Sequence, residues 1–131
     1  MSGGMKYKIA GGLLAFATVA AAVPKALVGV SPGLWEITGQ PLRQRPAQLC
    51  IADLASLAQF EHRRSRCTRV VIRDLPTSTE IHYTCTDGGF GRSTIKRITT
   101  KSLRIDTQGI SGSYPFNYVM QARRIGECQS H

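Results

Sequence analysis

Carboxylates are scarce in this chain. Eight Asp and Glu stand against seventeen Lys and Arg, a formal charge of +9. Asp53, Glu61, Asp74, Glu80, Asp87, Asp106 and Glu127 are scattered, and spacing makes no pair of them for general acid–base work. Histidine is scarcer still, at positions 62, 82 and 131. A hydrolytic triad needs a base beside a nucleophile and an orienting group, and no Gly-x-Ser-x-Gly elbow is present to present a serine. No Cys-x-x-Cys pair exists, which removes the commonest zinc signature. Gly88-Gly89-Phe90-Gly91 lacks a Gly-Lys-Ser/Thr ending and does not lead into a helical pattern, so it reads as a turn between strands rather than a phosphate loop. There is no internal repeat and no low-complexity tract. These absences argue against catalysis, and nothing calls for a cofactor or a metal. His82 is the one histidine expected on a structured face, in a polar row with Glu80.

The N-terminus is organised as an export leader. Lys6 and Lys8 precede an uncharged apolar run from Ile9 to Val23, which closes on Ala20-Ala21-Ala22. This is the three-part pattern of a secretory signal. The run is shorter than the roughly 20 residues that span a bilayer, so retention as an anchor is the weaker expectation. No Arg-Arg pair precedes it and no cysteine lies near its end, so neither twin-arginine export nor a lipid anchor is supported. Cleavage is expected after Ala22, with a cut near Ala26 as the alternative. Residues 23–131 would then form one domain, with no transmembrane span and a charge of +7, because Lys6 and Lys8 leave with the leader. A basic protein is drawn to anionic surfaces, and nothing here specifies a nucleic acid.

Downstream of the leader lie four cysteines, Cys50, Cys67, Cys85 and Cys128. In an exported domain of this size they read as two disulfides. Cys67–Leu75 is rich in Val and Ile, and residues 80–86 alternate, with Ile81, Tyr83 and Cys85 on one face. Residues 76–79 separate the two runs. A β-hairpin follows, and counting out from its turn sets Cys67 opposite Cys85, within bridging distance. Cys50 then pairs with Cys128.

The remaining elements follow from periodicity. Leu34–Thr38 puts Trp35 and Ile37 on one strand face. Residues 39–46 form a loop or an irregular edge. Ile51, Leu54, Leu57 and Ala58 recur at helical spacing, predicting a helix from Cys50 to about Phe60 with Asp53 in its first turn. Residues 93–100 and 102–107 are strand-like, with a bulge expected near Lys101 and a turn over residues 107–112. Tyr114, Phe116, Tyr118 and Met120 alternate along the longest strand, which runs towards Ile125. The expected architecture is all-β: a curved antiparallel sheet of about six strands, with closure into a small barrel as a variant, plus one short helix. Its core is expected to hold Trp35, Ile37, Leu54, Leu57, Ile81, Tyr83, Phe116, Tyr118 and Met120.

Pro32-Gly33-Leu34-Trp35-Glu36, Gln48-Leu49-Cys50 and Arg124-Ile125-Gly126-Glu127-Cys128, with the two middle cysteines, resemble the domain-of-unknown-function family 3617. Its members are small exported bacterial proteins, mostly from proteobacteria. The resemblance covers essentially the whole chain after residue 22. It implies an exported, disulfide-bearing β domain and assigns no activity.

Two surfaces are candidates for function. The row Tyr114, Phe116, Tyr118 and Met120 would line the concave face of a curved sheet and take a small apolar ligand. The cluster Arg63, Arg64, Arg66 and Arg69, next to His62, would meet an anionic envelope component. The first makes the chain a non-catalytic binding or envelope-associated module of the periplasm or exterior; the second makes it an interaction protein. An enzyme is the remote third reading.

Overall fold

The computed structural model describes residues 23–129 together with Gly4, Gly11 and Gly12. The leader and its cleavage site lie, those glycines apart, outside the described residues, as does His131. Seven antiparallel strands form one curved sheet among the described residues: β1 (Gly33–Thr38), β2 (Ala47–Ile51), β3 (Cys67–Asp74), β4 (Ser78–Cys85), β5 (Phe90–Thr99), β6 (Ser102–Ser111) and β7 (Tyr114–Gly126). Their spatial order is β2-β1-β7-β6-β5-β4-β3. Strands β3 to β7 are a meander of hairpins. The long β7 then delivers the chain end beside β1, so the N-terminal pair closes onto the C-terminal strand.

Alternation sets the layers. Trp35 and Ile37 of β1, Ile81 and Tyr83 of β4, Ile95 of β5, Leu103 and Ile105 of β6, and Met120 and Ala122 of β7 all point to one buried face. A short 3₁₀ segment, Leu54–His62, lies against that face and supplies Leu57, Ala58 and Phe60. We call it the plug. Ser93 pegs it down: its hydroxyl donates to the Ala58 carbonyl at 2.5 Å and pairs with Thr107 Oγ1 at 2.8 Å. Such pairing satisfies buried hydroxyls that would otherwise destabilise the core. Trp35 is fully buried and donates its indole N–H to the Ser31 carbonyl.

Both bridges form as expected, Cys50–Cys128 and Cys67–Cys85. Cys67 and Cys85 are direct cross-strand partners in the β3–β4 register. Of the expected core, all are buried but Phe116, which is only partly covered and packs at the core's margin.

Several expectations are corrected. Cys50 and Ile51 belong to β2, a strand absent from the six expected, and the helical segment starts only at Leu54. Asp53 is its N-cap, accepting from the Ala55 N–H at 3.1 Å, and not a first-turn residue. Pairing with β1 outweighs the helical spacing of Ile51 and Leu54, because Ile51 is already buried as a strand residue opposite Gly33. The turn expected at 107–112 shrinks to Gly112 and Ser113, both at positive φ, in a two-residue hairpin loop that lets Ser111 pair with Tyr114. Such a turn matches the twist of its strands. Phe90 and Gly91 likewise belong to β5. Lys101 sits in the β5–β6 turn, and the irregularity falls between Arg97 and Thr99.

The sheet does not close into a barrel: β2 and β3 each have one strand neighbour. The plug packs on β4, β5 and β6, and the lead-in segment, residues 23–32, packs on β4 and β5 and lines a pocket with β3. The lead-in is tied to the sheet by the Lys25 N–H donating to Asp74 Oδ1 of β3 at 2.8 Å and by Arg97 Nη1 of β5 donating to the Val28 carbonyl at 3.2 Å.

Candidate functional site

Between the lead-in, the start of the plug and the β3 edge of the sheet lies a pocket of about 580 Å³, the seam pocket. Val23, Leu27 and Val30 come from the lead-in, Leu54 and Ala55 from the start of the plug, and Val71 and Ile81 from β3 and β4. Val71 sits there because Cys67, Arg69 and Val71 share the inner face of β3. The two charged residues in the wall, Asp53 and Arg69, are paired at 2.6 Å. Arg69 also donates to Gln59 Oε1 at 3.3 Å. The pocket is thus apolar within and locally neutral at its charged rim.

The far end of the plug is built differently. Glu61 Oε2 accepts a hydrogen bond from the Tyr118 hydroxyl at 2.6 Å. His62 is buried, and its Nδ1 shares a hydrogen bond with the Tyr83 hydroxyl at 2.9 Å. Its ring meets Tyr83 edge-on and tilts against Phe116. Nε2 of His62 has no hydrogen-bond partner among the described residues and lies against Gly89, where a side chain would collide with it. Burial pushes the Tyr83 and Tyr118 phenols above their ordinary value, and the Glu61 carboxylate pushes both the same way because it opposes a second negative charge. Asp87 lies on the outer side. The Ser65 hydroxyl and then the Gly89 N–H hold its carboxyl below the usual range. This arrangement fastens the plug through neutral phenols.

The expected sites are distributed as follows. Tyr114, Phe116, Tyr118 and Met120 do share a face, but they do not form one open wall. Tyr114 is exposed at the hairpin tip, Phe116 is half-buried, and Tyr118 and Met120 are buried under the plug. Arg69 faces the seam. Arg63 folds back over the Phe60 ring, 4.5 Å from its centroid, and donates to the Phe60 carbonyl. Arg64 and Arg66 are exposed and make no ion pair among the described residues. His62, expected in a solvated basic loop, is instead buried; the helical segment runs past the expected end near Phe60 to His62, and the ring turns inward. His82 lies on the outer sheet face, half-exposed, 3.7 Å from Glu80.

The seam pocket went unseen in the sequence. Its walls come from four separated stretches, and the only local signal was the proline- and glycine-rich lead-in, which sequence alone marks as unpacked. Among the described residues, no cluster of His, Cys, Asp and Glu could hold a metal, and no helix is long and apolar enough to cross a membrane.

A single open antiparallel sheet, curved round a helical plug and braced by two disulfides, defines a class of small β domain. Its family is that of a protein of unknown function, DUF3617, whose model matches residues 30–128; the chain belongs to this family. No curated protein and no solved structure matches it.

Proposed function

We propose that this protein is a non-catalytic, exported binding module that holds a small apolar ligand in the seam pocket. One observation carries the reading: a cavity of about 580 Å³ between the lead-in, the plug and the β3 edge, lined mainly by aliphatic side chains, with its two charged wall residues already paired. A volume of that order suits a small molecule. The pocket replaces the β7 row as the apolar site, because Tyr118 and Met120 are already covered. Export is supported by the leader pattern and by four cysteines all engaged in bridges. His82 does not line the seam pocket; it lines a separate groove of about 620 Å³ on the outer sheet face, with Phe90 and Phe116.

A second reading, binding of an anionic envelope component, is favoured by exposed Arg64 and Arg66, which lack ion-pair partners among the described residues. It predicts association that weakens strongly with salt, whereas seam-pocket binding is nearly salt-independent.

The test is native mass spectrometry of the chain expressed with its leader and recovered from the periplasm of a bacterial host. The mass should lack residues 1–22, rise by two hydrogens per bridge on reduction, and carry a non-covalent adduct that Val71→Arg abolishes. A full-length mass with free thiols contradicts export. A protein that carries no adduct, or one that Val71→Arg leaves in place, contradicts the pocket.

A further inference from the structure

We propose that the free edge of β2 is a docking site for an acidic, extended polypeptide segment, which adds to the sheet as an eighth strand. This narrows the second reading above from an anionic component to a polypeptide, and it does not depend on the seam pocket; the two grooves meet only at Ala52 and Asp53.

Strand β2 pairs with β1 alone, so its other edge presents unmatched backbone donors and acceptors. That edge is accessible, with Gln48 and Cys50 exposed. It forms one wall of a groove of about 690 Å³ whose opposite wall is the outer side of the plug. All five β2 residues line it, with Leu49, Leu57 and Phe60 forming an apolar base and Arg43, Arg63 and Arg64 at its rim. Five residues of strand extend about 17 Å, long enough for a short peptide to pair along it. The Cys50–Cys128 bridge fixes the edge in place, so little ordering of β2 is required on binding.

Charge selects the occupant. The three arginines have no ion-pair partner among the described residues, and the one carboxylate in the groove, Asp53, is held by Arg69. Glu61 faces the adjoining groove, where it takes the Tyr118 hydroxyl. A second copy of this chain is a poor match. Its β3 edge carries Arg69 and Arg73 and its β2 edge carries the same arginine rim, so either pairing would set arginine against arginine. Strand addition uses main-chain bonds for affinity and side chains at alternate positions for specificity. An acidic residue at each outward position would meet the arginine rim, and apolar residues between them would meet Leu49 and Phe60.

The probe is a seven-residue peptide of alternating Glu and Val, titrated into ¹⁵N-labelled protein at low salt beside its fully N-methylated counterpart. The account expects saturable binding, slowed amide exchange along Ala47–Ile51, and affinity lower by about tenfold or more for the N-methylated peptide and for Arg43→Ala/Arg64→Ala. The N-methylated comparison uses the unaltered protein, so it holds even if a variant misfolds. Equal binding of the two peptides overturns strand addition. Absence of peptide binding overturns it too. If phosphatidylglycerol vesicles then bind through Arg64 and Arg66, the inference fails while the anionic-surface reading stands; if neither binds, both fail.

Discussion

The two ends of the plug are made of different materials. At its start, Asp53 caps the helical segment and the neighbouring walls are Leu54, Ala55, Val71 and Leu27, leaving the seam pocket open. At its finish, Glu61 and His62 are bonded to tyrosines of β7 and β4, and Gly89 closes over the imidazole. Each end is also stapled. Cys50 precedes the plug and ties β2 to the C-terminus, while Cys67 follows it and ties β3 to β4. The difference teaches a division of labour: at the finish, hydrogen bonds to tyrosines fasten the plug to the sheet, while at the start the one tie to the sheet, Asp53 to Arg69, is partly exposed and apolar surface is left for something else to cover.

The largest effects should come from the staples. Their loops differ in length, 78 residues for Cys50–Cys128 and 18 for Cys67–Cys85. Loop-closure entropy then gives about 4.5 kcal/mol for the first and about 3 kcal/mol for the second. Denaturant unfolding of the two double Cys→Ser variants should preserve that order; a larger loss at the short loop would mean that the plug's finish depends on its bridge more than on its tyrosines.

Next come the polar fasteners. Tyr118→Phe removes the bond to Glu61 and should cost about 1–2 kcal/mol. Tyr83→Phe should cost a similar amount by leaving His62 Nδ1 alone. These phenols also predict a pH response. Their folded pKa values lie above the ordinary tyrosine value, so above about pH 10 the unfolded chain releases protons that the folded chain retains. Stability present below that pH is therefore lost as the pH rises beyond it. Stability measured between pH 9 and 12 should fall, and more gently in either Phe variant. A slope unchanged by both substitutions would mean that the phenols do not fasten this end.

At the start of the plug the effects shrink. Arg69→Ala breaks a partly exposed pair with Asp53 and should cost less than about 1 kcal/mol, as surface pairs do. Val71→Arg, at a half-exposed position, should change stability by no more than about 0.5 kcal/mol. If either proved as costly as Tyr118→Phe, the two ends would not differ as described.

Much of the frame was legible in the sequence. Strict alternation in residues 80–86 set the register that brings Cys67 to Cys85, and the second bridge followed from it. The β7 row was legible as a strand because its pattern runs uninterrupted. What escaped was tertiary in origin. Residues 47–51 carry Gln48 and Cys50 in a short strand with a weak pattern, and Ile51 fits a helical period with Leu54 as well as it fits a strand. His62 stands directly before Arg63 and Arg64, and its burial depends on Tyr83 and Gly89, more than twenty residues away. The seam pocket is assembled from the lead-in, the start of the plug, β3 and β4, stretches far apart in the chain, which no local pattern records.

The most direct test of the open end is titration with the neutral apolar fluorophore N-phenyl-1-naphthylamine, comparing the unaltered protein with Val71→Arg at equal stability. The account predicts saturable binding at one site in the unaltered protein, indifferent to salt and lost in the variant. Binding that is absent, or that persists undiminished in Val71→Arg, would contradict the claim that the seam pocket between the lead-in, the plug and β3 is the ligand site.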